Sequence, residues 1–68
     1  MNISKMKIKR LKKNLTQQEL SKYTNTGLTT IVKLEKGDIG GSRVSTLEKI
    51  AKALDTSVVD LFFKEEEE

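Results

Sequence analysis

Apolar residues recur at intervals of three and four along almost the whole chain, and no proline interrupts them. A helix turns once in about 3.6 residues, so this spacing gathers them on one side of successive helices. The only glycines are Gly27, Gly37, Gly40 and Gly41, which punctuate the runs. The pattern predicts an all-α domain of short amphipathic helices. With 68 residues there is room for one core, close to the size at which a core holds without staples.

That core must stand on packing alone, because the chain has neither cysteine nor histidine. Disulfides and cysteine metal sites are excluded, and zinc chemistry and histidine acid–base catalysis lack their usual side chains. An enzyme is not expected, nor any metal or cofactor. The first residues alternate lysine with short apolar residues and never form the apolar run of a signal peptide. No later run is long enough to span a bilayer. A soluble, cytoplasmic protein without a membrane span is expected.

Net charge is +3, but the acidic end Glu65 to Glu68 conceals a stronger bias. Thirteen lysines and arginines face only six other carboxylates, a balance of +7. Lys5, Lys7, Lys9, Arg10, Lys12 and Lys13 all precede the first acidic residue, Glu19. Such a basic end suits phosphates or an anionic surface, although each lysine taken singly also suits a solvated helix face.

Asn2 or Ser4 can cap a first helix that runs through Met6, Arg10 and Leu11 and ends near Lys13 and Asn14, with Leu15 as an anchor in the turn. Thr16-Gln17-Gln18-Glu19 reads as a capping box, the Thr16 hydroxyl taking the Glu19 N–H while the Glu19 carboxylate reaches back. The second helix should bury Leu20 with Tyr23 or Thr24 and leave through Asn25, which tolerates left-handed geometry. The segment from Leu28 is rich in β-branched residues and looks like a strand. However, Ile31 and Leu34 lie three apart, Leu28, Thr29, Val32 and Lys33 form a second helical face, and Gly37 supplies a helix stop. A third helix, Leu28 to Glu35, is predicted. A loop from Asp38 to Ser42 leads to a fourth helix marked by Val44, Leu47, Ile50, Ala51 and Leu54. Ser57 and Asp60 resemble another capping box and open a brief fifth helix through Leu61 and Phe62. Residues 1–63 should form the domain, and residues 64–68 a solvated acidic tail.

Three pieces together carry a resemblance: the Thr16-Gln17-x-Glu19-Leu20 start, the Ile31-x-x-Leu34-Glu35-x-Gly37 ending, and Ile50-Ala51-x-Ala53-Leu54. The stretch LTQQELSKYTNTGLTTIVKLEKG, Leu15 to Gly37, resembles the phage repressor and Cro class of DNA-binding domains, shared with bacterial XRE-type regulators. TLEKIAKALDTSVVDLFF, Thr46 to Phe63, is similar to the end of those domains. The resemblance implies a compact five-helix bundle of the lambda-repressor-like type, with a helix-turn-helix made by helices two and three. The third helix would enter the major groove of double-stranded DNA. Gly27, Asn25 and Asp55 depart from the family's usual capping serine and two glycines.

Carried over from the family, Gln17 would offer its amide to a phosphate, unless it is simply an exposed helical glutamine. Leu28 and Val32 can pack on thymine methyl groups, Thr29 and Thr30 add hydroxyls, and Lys33 can donate to guanine. Some relatives send an arginine from the position of Arg43 toward the minor groove or a phosphate. Lys36 and the Gly40–Gly41 amides could hold phosphate as well, or the glycines could be a plain connector. Arg10 and Glu35 match a structural ion pair of this class.

Val58, Val59, Leu61, Phe62 and Phe63 are more apolar than one short helix can bury, so part of this end is expected to be a homodimer seam. The resulting expectation is a sequence-specific transcriptional regulator, a repressor reading a palindromic operator as a dimer. The alternative is an antitoxin or anti-regulator acting through a protein partner on the same fold.

Overall fold

The computed structural model describes residues 4–63. The possible cap at Asn2 and the acidic end at 64–68 lie outside these residues. Five helices follow one another: α1 Lys5–Lys12, α2 Gln17–Thr24, α3 Leu28–Glu35, α4 Val44–Ala53 and α5 Val59–Phe63. Among the described residues there is no strand, and no helix is long and apolar enough to cross a membrane.

The starts are set locally. Ser4 caps α1 by accepting the Lys7 N–H, and Thr16 with Glu19 makes a reciprocal capping box on α2, at 3.0 and 2.9 Å. Ser57 accepts the Asp60 N–H ahead of α5. By contrast α3 begins at Gly27 and α4 at Arg43, neither of which gives a side-chain cap.

The ends share one device. Each of the four longer helices exits through a single left-handed residue: Asn14 (φ 58), Asn25 (φ 54), Gly37 (φ 91) and Asp55 (φ 58). The N–H of the following residue then turns back onto the last helical turn, Leu15 to Arg10, Thr26 to Ser21, Asp38 to Lys33 and Thr56 to Ala51, at 2.9 to 3.2 Å. These bonds satisfy carbonyls that a helix end otherwise leaves without partners. Only one of the four positions uses glycine, the residue with no Cβ penalty there.

Helix α2 packs on α3 and α4, while α1 packs on α3 and α5. Met6, Leu20, Ile31, Leu34, Leu47, Ile50, Ala51, Leu54 and Leu61 form the core, with Leu15, Ile39, Ala53, Val58 and Phe62 packed against it. Ile31 and Leu34 are fully enclosed, so tertiary burial overrides the weak helix propensity of the β-branched α3 segment.

The structure resolves or corrects several details. Of the pair Tyr23 and Thr24 it buries Thr24, whose hydroxyl donates to the Leu20 carbonyl at 2.7 Å, and leaves Tyr23 73% exposed. Val44 opens α4 but faces outward and is no part of the core. Helix α5 is wound more loosely than an α-helix, its hydrogen bonds spanning five residues. Leu61 is buried and Val58 and Phe62 lean on the core, whereas Val59 and Phe63 are 60% and 59% exposed.

Candidate nucleic-acid interface

Helix α3 presents two faces because its inward residues, Ile31 and Leu34, are three apart, while Leu28, Thr29 and Lys33 fall on the other side at helical spacings. With Ile31 and Leu34 inside, Leu28, Thr29 and Lys33 are exposed, and Thr30 and Val32 are half-buried at the margin. The outward face therefore offers methyl groups, hydroxyls and one ammonium. Glu35 is the one carboxylate of α3, and it is turned inward.

Beside α3, the loop into α4 closes a polar hollow of about 300 Å³. Thr30 and Lys33 line it from α3, Gly40, Gly41 and Ser42 from the loop, and Arg43 and Thr46 from the start of α4. Gly41 takes φ 79, which lets the chain fold tightly there. Two cations, three hydroxyls and the glycine backbone thus converge with no carboxylate among them. That combination has the charge and the donors that an anion such as phosphate calls for. Lys36, the last residue of the α3 end, is exposed but does not line this hollow.

The rear of the motif is locked by Arg10 and Glu35, whose side chains are only 8% and 6% exposed. Arg10 Nε donates to Glu35 Oε2 at 2.5 Å, Nη2 to Oε1 at 3.4 Å, and Nη1 to the Leu15 carbonyl at 2.7 Å. Gln17 Nε2 donates to Glu35 Oε1 at 3.1 Å. One carboxylate thereby ties the last turn of α1, the first residue of α2 and the last residue of α3. The bonds at Glu35 and Leu15 are charge-assisted and shielded from water, which makes them stronger than neutral surface contacts.

This geometry changes the expectation for Gln17. Its amide nitrogen is engaged with Glu35 and its side chain is half-buried, so it is not a freely exposed phosphate donor. In addition, the Glu19 carboxylate already sits on the Thr16 N–H at the start of α2. The structure brings Thr30, Lys33 and Arg43 together, keeps Leu28 and Thr29 on the neighbouring outward face, and places Gln17 and Lys36 apart from the hollow. Sequence reasoning missed Ser42 and Thr46; a hydroxyl on each side of Arg43, in a loop next to a helix start, was the signal available.

Residues 6–61 match a protein-family model described as Helix-turn-helix. Over 59 residues the chain is 41% identical to a protein of Archaeoglobus fulgidus named an uncharacterized HTH-type transcriptional regulator, a match covering 87% of this chain and 82% of that one. No solved structure matches at comparable stringency.

Proposed function

The chain belongs to the XRE-type helix-turn-helix family, and from that premise we propose that it is a sequence-specific transcriptional repressor that reads a palindromic operator as a homodimer. The observation that carries this reading is the outward face of α3, which is free of carboxylates and carries Lys33, set against a hollow that Lys33 and Arg43 line. Phosphates are drawn by the basic surface and positioned by Arg43, Ser42 and the loop amides, contacts that fix register without reading sequence. Leu28, Thr29 and the margin of Val32 then meet base edges in the major groove, with thymine methyl groups as their natural complement. Lys33 can serve either a guanine or the adjoining phosphate, and Lys36 lies further along toward the end of α3. An amide has two N–H donors, so Gln17 can hold Glu35 with one and offer the other to the backbone.

The exposed Val59 and Phe63 supply the seam for a second copy. Two-fold pairing there presents two α3 helices to half-sites roughly 34 Å apart. Occupying the operator would block polymerase.

Selection of bound sequences from random duplex DNA by the purified protein tests this directly. A recurring inverted repeat is the expected result, and Lys33→Gln should change preference at one position in each half by about 1–3 kcal/mol. If no sequence is enriched, or if Lys33→Gln leaves the enriched sequence and its affinity untouched, the reading fails.

A further inference from the structure

A second feature lies away from α3 and its loop. The turn between α1 and α2, the back of α2 and the end of α4 border an open, shallow hollow of about 540 Å³. Leu15 and Ala53 lean on the core and form its floor, the exposed ring of Tyr23 makes a wall, and Lys13, Glu19 and Lys22 stand around it. A neighbouring depression of about 400 Å³ adjoins it at Lys13 and is bordered by Lys9, Lys12 and Asp55.

The charges here are not balanced. Asp55 pairs with Lys13, and the Glu19 carboxylate is held by the Thr16 N–H of its own capping box. Lys9, Lys12, Lys13 and Lys22 outnumber Glu19 and Asp55 by four to two and so give the rim a net positive charge. The result is an apolar floor with room for a large side chain, a tyrosine standing over it, and a cationic border. Aromatic side chains over apolar floors with a polar rim are where protein partners anchor. A flat basic surface suits nucleic acid backbone, but backbone has no use for an aliphatic floor.

We infer that this trough binds an acidic peptide segment of a second protein, seating one apolar anchor residue between Tyr23, Leu15 and Ala53 while its carboxylates face Lys9, Lys12 and Lys22. None of these residues belongs to α3 or to the loop that follows it, so the partner and DNA can be held together. The inference does not depend on the DNA reading, and the two can fail separately.

The test uses the full chain labelled with ¹⁵N and short acidic peptides that carry one central phenylalanine or leucine. These peptides should shift the backbone amides of Leu15, Glu19, Lys22, Tyr23 and Ala53. Tyr23→Ala and Lys22→Glu, both at exposed positions, should each weaken the peptide by about tenfold, with helical content unchanged. Prior addition of duplex DNA should leave the peptide's affinity as it was. Three results would overturn the inference: no shifts at these amides, equal binding by a peptide whose apolar residue is replaced by serine, or a single-stranded oligonucleotide giving the same shifts more strongly at equal concentration.

Discussion

Removing the Arg10 guanidinium should nearly unfold the protein, and removing its partner as well should restore much of the loss. In Arg10→Met the side-chain stem is kept but three hydrogen bonds go, two to Glu35 and one to the Leu15 carbonyl. Glu35, 6% exposed, is left with Gln17 as its remaining donor. An orphaned buried charge costs about 3–5 kcal/mol. A chain of this length is expected to have a total stability of about 3–10 kcal/mol, at roughly 0.05–0.15 kcal/mol per residue. The melting temperature should fall by about 12–40 °C, since 1 kcal/mol shifts a domain of this size by about 4–8 °C. Adding Glu35→Leu removes the second charge and leaves only the Leu15 carbonyl and the Gln17 amide to be satisfied, at about 1 kcal/mol each. The double variant should therefore be more stable than Arg10→Met alone. Urea unfolding followed by helical circular dichroism measures all three variants against the parent. The reasoning is refuted if Arg10→Met costs under about 1 kcal/mol, or if the two single losses simply add in the double variant, because either result denies that the groups compensate each other.

Other expectations concern binding, turns and assembly. Arg43→Ala should weaken all duplexes alike and lower the salt dependence of binding by about one ion, as loss of a phosphate contact does; a change in base preference at constant salt slope would instead mark Arg43 as a base reader. Asn25→Ala should cost about 1 kcal/mol because Asn25 sits at φ 54, whereas Asn25→Gly should cost nothing at that position; equal melting curves for the two variants would contradict this. Replacing the exposed Val59 and Phe63 by aspartate should give a folded monomer by sedimentation and reduce affinity for the full operator far more than for a single half-site. A parent protein that sediments as a monomer both free and on the full operator would remove the dimer.

Features decided by near neighbours in sequence are plain before any coordinates are known. The Thr16–Glu19 capping box and the left-handed exits at Asn25 and Gly37 are such cases, since all their partners lie within a few residues. The helical state of the β-branched α3 segment is legible for another reason: Ile31, Leu34 and Gly37 fit one turn and stop pattern that a strand would not produce. What sequence leaves open is what only packing decides. Tyr23 and Thr24 are both in reach of the Leu20 face, and the Leu20 carbonyl chooses threonine by accepting its hydroxyl. Val44 has the right spacing for the core but, as the first residue of α4, stays exposed. Gln17 is turned inward by a carboxylate 18 positions away, a distance no local pattern spans. The exposed face of α3 is readable as a set of residues, whereas the hollow beside it needed the loop path to bring Ser42 and Thr46 to Lys33.

The two faces of α3 are largely separate: Ile31 and Leu34 are enclosed, Leu28, Thr29 and Lys33 are exposed, and Thr30 and Val32 are half-buried at the margin. Substitutions on the outward side should fall within the small range typical of exposed positions, about ±0.5 kcal/mol. Such a face can be rebuilt one residue at a time, each intermediate remaining folded. On the proposed DNA reading, Glu35, held from α1 and α2, would keep every variant at the same docking angle. If α3 reads DNA as proposed, the domain separates what can drift over generations from what must stay fixed, and its target sequence would be the part free to drift.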